Sequence, residues 1–207
     1  MIAIIDYGVG NLFSLKFSLS SIGASAIVSR DPDTIHEADA LILPGVGAFG
    51  DAAEKLEETG MKQVVLKEAA AGKPLLGICL GMQLLFDSST EFGMHEGLGL
   101  IHGQVDAIEP KLTRKLDIPH IGWNQLHFVK DSELFDGIPE GTYVYFVHSY
   151  AAFHCEEHLI AETEYEIPLT AAAAEGNVYG TQFHPEKSGP MGLRILKNFC
   201  RIAGENL

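Results

Sequence analysis

The chain is short of basic side chains, of cysteine and of long apolar runs, and each shortage closes off a class of function. Only 14 Lys and Arg stand against 28 Asp and Glu among 207 residues, for a formal charge of −14. Such a surface repels phosphate backbones and anionic bilayers, which argues against nucleic-acid and membrane partners. The three cysteines, Cys79, Cys155 and Cys200, are odd in number and far apart. They form no disulfide framework and point to a reducing cytoplasm. The most apolar stretch, 74–86, is interrupted by Gln83 and falls far short of the roughly 18 residues a bilayer span needs. The start, Met1-Ile2-Ala3-Ile4-Ile5-Asp6, has neither the basic region nor the cleavage site of an export signal. Internal repeats and linkers are also missing, so the length predicts one domain over 1–207, and 46% apolar residues suffice for its core.

What is present is an α/β pattern. Strands are predicted at 2–6, 26–28, 40–43 and 75–78, and helical patterns stand between them. This is the signature of βαβ units and a mostly parallel central sheet flanked by helices. Leu12, Leu15, Leu19 and Ile22 mark the first helix, with Asn11 as its cap and Gly23 as its stop. A broken helix is expected over 51–71 and another over 82–86. Beyond residue 100 the texture changes to closely spaced strands, expected at 100–108, 120–123, 125–128, 143–147, 159–163, 169–174 and 178–183. These read as antiparallel additions, with hairpin chemistry at Glu175-Gly176-Asn177 and a closing amphipathic helix over 192–202.

Gly77-Ile78-Cys79-Leu80-Gly81 sets a thiol between two glycines where a buried strand turns into a helix. That is the pattern of a nucleophile elbow with Cys in place of Ser, in which the glycines relieve crowding around a sharp turn. A thiol with a pKa of about 8.5 is only a few per cent thiolate at neutral pH, and a helix N-terminus and an imidazolium raise that fraction. Cys155 and Cys200 lack such a setting and read as small buried apolar residues.

A thiolate nucleophile needs a group that takes up and returns a proton. Of nine histidines, His184 stands out because Pro185-Glu186 follows it at a strand end. Proline holds the preceding residue extended, so His184 and Glu186 project to the same side and the carboxylate can fix the ring's tautomer. Pro44-Gly45-Val46-Gly47 follows a strand, and its backbone N–H groups at Val46 and Gly47, with that of Leu80, are candidate oxyanion donors. Two other readings fail. Asp6-Tyr7-Gly8-Val9-Gly10 has Phe13 where a dinucleotide fingerprint requires glycine. His154, Cys155 and His158 lack the paired spacing of a zinc site. Neither a cofactor nor a metal is expected.

Gly77-Ile78-Cys79-Leu80-Gly81-Met82-Gln83 and His184-Pro185-Glu186 together resemble the triad (class I) glutamine amidotransferases. Asp6-Tyr7-Gly8-Val9-Gly10-Asn11-Leu12, Pro44-Gly45-Val46-Gly47, Glu96-Gly97-Leu98-Gly99-Leu100, Gly122-Trp123-Asn124 and Tyr145-Phe146-Val147-His148-Ser149-Tyr150 are similar to the branch serving histidine biosynthesis. The resemblance implies a flavodoxin-like fold and hydrolysis of L-glutamine to glutamate and ammonia through a thioester on Cys79. His184 would move the proton and Glu186 orient it. Gly45, Gln83, Glu96, Ser149 and Tyr150 would hold the glutamine. It also implies a heterodimer with a (β/α)₈-barrel cyclase that consumes the ammonia and makes imidazole glycerol phosphate and aminoimidazole carboxamide ribotide. Trp123, Asn124, Tyr145 and Lys187 are the candidate interface. The competing readings are a glutaminase of another amidotransferase pathway, a dienelactone-type cysteine hydrolase and a redox sensor using Cys79.

Overall fold

In the computed structural model, which describes residues 1–205, the first half of the chain alternates strand and helix. The order is β1 (Ile2–Ile5), α1 (Leu12–Ser21), β2 (Ala26–Ser29), α2 (Pro32–Glu37), β3 (Ala40–Leu43), α3 (Phe49–Glu58), α4 (Met61–Ala70), β4 (Leu75–Ile78) and α5 (Leu80–Gln83). The second half supplies β5 (Ser88–Ser89), β6 (His95–Glu96), β7 (Gln104–Ala107), β8 (His120–Gln125), β9 (His127–Phe128), β10 (Tyr143–His148) and β11 (Tyr150–Phe153). It ends with β12 (Leu159–Tyr165), β13 (Ile167–Glu175), β14 (Val178–Thr181) and α6 (Gly189–Ile202).

Eight strands form one sheet in the order β2-β1-β3-β4-β14-β13-β12-β9. The first five run parallel, and β13, β12 and β9 extend the sheet antiparallel. β1, β3 and β4 are buried along their whole length, as strands covered on both faces must be. Alternation sends Ala3 and Ile5 to the side of Phe49, Leu56, Met61 and Val65, and Ile2 and Ile4 to the side of Leu15, Leu19, Ile195 and Phe199. No helix among the described residues is long and apolar enough to cross a membrane.

Four elements differ from the sequence reading, and three of the differences have local causes. The broken helix over 51–71 is two helices parted at Gly60, whose φ of +73° ends the first of them. α2 was not expected; Asp31 accepts a hydrogen bond from Thr34 N at 3.1 Å and Pro32 opens the first turn, so its capping outweighs a polar composition. The strand expected over 100–108 contracts to β7 because Leu100 and Ile101 donate their N–H groups to Leu85 O at 2.8 and 3.0 Å. The helix expected over 82–86 is the single turn α5, which starts directly after Cys79, as a strand-to-helix elbow there requires, and ends at Gln83.

Two small sheets complete the molecule. β11-β7-β5-β6 packs against the main sheet where β11 meets β13, and β8 and β10 form an antiparallel ribbon. On its outer face Ile121, Trp123 and Tyr143 are more than half exposed, while His120, Val144, Phe146 and His148 are buried beneath. The chain passes from β10 to β11 through Ser149, whose carbonyl accepts from Ile108 N at 3.0 Å.

Candidate active site

Cys79 sits between β4 and α5 with φ +55° and ψ −114°, a backbone conformation that costs a β-carbon-bearing residue about 1–3 kcal/mol. The strain is held from both sides. Cys79 N donates to Thr181 O at 2.8 Å, and the flanking glycines let the turn close. A β-carbon at Gly77 would stand 2.6 Å from Gly81 O, and one at Gly81 would stand 1.9 Å from Leu43 O. The thiol is thereby presented to a cavity of about 330 Å³.

That cavity collects residues from across the chain. Val46, Gly47, Leu80, Gln83, Ser149, Tyr150, His184 and Lys187 line it beside Cys79, all of them singled out by the sequence. His184 Nδ1 and Glu186 Oε1 are 2.8 Å apart, with both side chains almost fully buried. Burial disfavours the charged ring, but the Cys79 thiol and the Glu186 carboxylate outweigh it and raise the His184 pKa to about 9. The ring therefore holds its proton at neutral pH. β10 fixes the height of this segment: His184 N donates to Tyr145 O at 3.0 Å, and Ser188 Oγ links His184 O (2.6 Å) to Tyr145 N (3.0 Å).

The loop Pro44-Gly45-Val46-Gly47 is anchored from β1's end. Buried Tyr7 donates its hydroxyl to Pro44 O at 2.7 Å, and burial, reinforced by the charge at Cys79, pushes its pKa up so that the proton stays in place. Gly45 packs against the elbow instead of lining the cavity; a β-carbon there would meet Gly81 N at 2.7 Å. Leu80 N–H opens α5 and so has no acceptor within that helix, which leaves it free for an oxyanion.

Several placements correct the sequence reading. Glu96 lies exposed on β6, outside the cavity, whereas Glu91 lines it and accepts from Phe49 N at 2.7 Å. Asn124 points to the opposite side of β8 from Trp123, because neighbours on a strand alternate. Its amide donates to Glu164 O at 2.8 Å and contacts His120 Nε2 at 3.2 Å. Trp123 is 54% exposed, its ring 6.2 Å from Tyr145, and Lys187 Nζ stands 6.0 Å above the Tyr145 ring.

Two residues were missed. Glu91 is one, and Gln182 is the other: buried two residues before His184, it donates to Cys79 Sγ at 3.8 Å and accepts from Gln83 Nε2 at 2.9 Å. The alternation that pairs His184 with Glu186 also puts Gln182 on their side, so the signal was there. Gln83 spends its other amide hydrogen on Tyr150 O at 3.0 Å, which leaves its carbonyl oxygen as the group it can offer a ligand. Taken together the arrangement provides a strained thiol, a protonated imidazole oriented by a carboxylate, free backbone donors and a polar pocket. These are the requirements of acyl transfer from an amide.

Comparison with known proteins agrees. The model of the family "Glutamine amidotransferase class-I" matches residues 3–203. The imidazole glycerol phosphate synthase subunit HisH of Sulfurimonas denitrificans is 52% identical over 204 residues, covering 97% of this chain and 98% of the relative. The subunit of the same name from Wolinella succinogenes is 50% identical, covering 98% and 100%. A crystal structure of a glutamine amidotransferase superposes with a TM-score of 0.76 over 99% of both chains at 20% identity, a likeness of fold. The chain belongs to the class-I glutamine amidotransferases, on the branch of the HisH subunits of imidazole glycerol phosphate synthase.

Proposed function

We propose that this chain is the glutaminase of a two-subunit synthase in histidine biosynthesis and that Cys79, His184 and Glu186 perform the hydrolysis. Cys79 Sγ attacks the side-chain amide carbon of L-glutamine. The developing oxyanion is met by Leu80 N–H and by N–H groups of the Val46-Gly47 loop, each such donor being worth about 10²- to 10³-fold in rate. His184 gives its proton to the departing nitrogen, ammonia leaves and a glutamyl thioester remains. A water molecule, deprotonated by His184, then attacks the thioester; glutamate departs and the thiol is restored. Glu186 keeps the ring in the tautomer that directs Nε2 to the sulfur and stabilises its charge.

Within the cavity, the Gln83 carbonyl oxygen, the Glu91 carboxylate, Ser149 and Tyr150 are proposed to hold the substrate, Glu91 taking the α-ammonium group. Glu91 replaces Glu96 in this role. The observation that carries the reading is the sharing of one cavity by the strained Cys79 and by His184, whose ring the buried Glu186 carboxylate holds. It is tested by incubating the purified chain and the purified cyclase with glutamine: glutamate should form and should fall to background in Cys79→Ala, while unchanged turnover in that variant would overturn the assignment.

Ammonia released into neutral water becomes mostly ammonium, which is no nucleophile, so the product has to be handed over under cover. The relatives are named as subunits, which supports a partner. We assign that role to a (β/α)₈-barrel cyclase forming a heterodimer through the ribbon face of Ile121, Trp123 and Tyr145, with Lys187 at the cavity mouth. Residues 1–207 are proposed to act as one domain, a reading supported by a sheet that uses strands from both ends of the chain; residues 206–207 lie outside the described residues. Three free thiols support the cytoplasm as its compartment.

A further inference from the structure

Two buried histidines take no part in the mechanism above. His120 and His148 stand side by side under the β8–β10 ribbon, with His120 Nδ1 2.9 Å from His148 Nε2. Their hydrogen positions follow from the ends of the chain of contacts. His148 Nδ1 lies 2.9 Å from Tyr150 O, and a carbonyl only accepts, so Nδ1 carries the hydrogen. Nε2 of a neutral His148 is then an acceptor, and His120 Nδ1 must donate to it. His120 Nε2 is left as the acceptor and meets Asn124 Nδ2, whose other hydrogen goes to Glu164 O. Gln125 N donates to Asn124 Oδ1 at 2.8 Å, which fixes that amide's orientation. Every donor in the series has an acceptor, in one direction only.

The series ends on a group that matters. Tyr150 O accepts from His148 and also from Gln83 Nε2, and Gln83 in turn donates to Gln182, the amide beside the Cys79 sulfur. His148, Tyr150, Gln83 and Cys79 all line the cavity, whereas the His120 ring is packed behind it between Phe146, at 4.9 Å, and Tyr165, at 4.3 Å. We propose that His120 is a positioning residue for glutamine hydrolysis: by donating to His148 it locks that ring onto the Tyr150 carbonyl and so sets the orientation in which Gln83 receives glutamine. The inference rests on the glutaminase reading of the cavity. Burial pushes the His120 pKa down to about 4 and that of His148 to about 3, so both rings stay neutral and the one-way pattern holds under working conditions. A second proton on either ring would set two N–H groups against each other or against a donor.

The first test needs no substitution. Long-range ¹⁵N-¹H spectra of the full-length wild-type chain report the tautomer of each ring. Both His120 and His148 are expected as Nδ1–H; an Nε2–H signature on either overturns the proposal. The second test reads function with the cyclase present. His120→Phe keeps an aromatic ring between Phe146 and Tyr165 but removes the donor. It should raise the KM for glutamine about tenfold, the effect of one lost buried hydrogen bond. Alkylation of Cys79 by iodoacetamide should stay within about twofold of wild type, since the proposal leaves the elbow intact, and a general loss of structure would move it further. His120→Asn restores an amide donor near Nδ1 and should recover KM to within about threefold. An unchanged KM in His120→Phe, or equal damage in both variants, contradicts the proposal. Absence of glutamate from the wild type would instead sink the glutaminase reading, so the two failures are distinguishable.

Discussion

At the residue scale, hydrolysis depends on the charge state of His184. Its folded pKa of about 9 lies above the ordinary value of 6.5, so the stabilisation from its charged contacts is complete below about pH 6.5 and disappears as pH rises through 9. The same sign governs chemistry: the proton needed by the leaving nitrogen is present at neutral pH and lost on the alkaline side. The pH profile of kcat/KM should therefore show an alkaline limb near pH 9. Glu186→Gln removes one of the two partners that raise the ring and should move that limb toward neutrality, with kcat lowered by about 10²-fold or more through loss of the charged orienter. A limb that stays put in this variant would show that Glu186 does not hold the ring.

The site residues also show how far a sequence reads by itself. Cys79, His184 and Glu186 were legible because glycine sterics and the period of an extended chain act over a few residues. Glu91 was not: Glu91 stands in the turn before β6 and Glu96 on β6, five residues apart, and only the hydrogen bond to Phe49 N, 42 residues away in the chain, settles which carboxylate turns inward. Asn124 failed for the opposite reason, since strand alternation, applied to its neighbour Trp123, already placed it on the other face.

At the element scale, the β4–α5 elbow is the part most strictly dictated by composition. A methyl group at Gly81 cannot coexist with Leu43 O at 1.9 Å, so Gly81→Ala has to push β3 and α5 apart. We expect a destabilisation of about 3 kcal/mol or more, at the upper end for overpacking, read as a lowered denaturant midpoint. A midpoint within error of wild type would mean that the elbow is not packed as described. Elements that depend on distant partners were harder to see. β11 was not foreseen because its sequence, Tyr150–Phe153, becomes a strand only by pairing with β7, more than 40 residues earlier. The hairpin of β13 and β14, whose turn contains Gly176-Asn177, was legible because its signal is local.

At the scale of the whole molecule, the parallel sheet and its helical covering were readable from alternation alone, whereas the ribbon and its exposed apolar face emerge only once the fold is assembled. Ile121 at 60%, Trp123 at 54% and Tyr143 at 55% exposure cluster on one face of a two-stranded ribbon, next to the cavity proposed to hand ammonia to the cyclase. Aromatic anchors of this kind carry most of the energy of an interface. Trp123→Ala should weaken association with the barrel cyclase by about 10- to 100-fold in Kd, measured by calorimetry, and leave the thermal midpoint of the free chain in place. Unaltered affinity would remove the ribbon from the interface.

Every step above passes through covalent chemistry at one sulfur, which is read out by quenching the chain in acid during turnover of glutamine with the cyclase present and measuring its intact mass and peptide map. A glutamyl adduct is expected on the peptide containing Cys79, absent from Cys79→Ala and released by hydroxylamine. Steady glutamate production with the adduct on a different residue, or undiminished in Cys79→Ala, would contradict it.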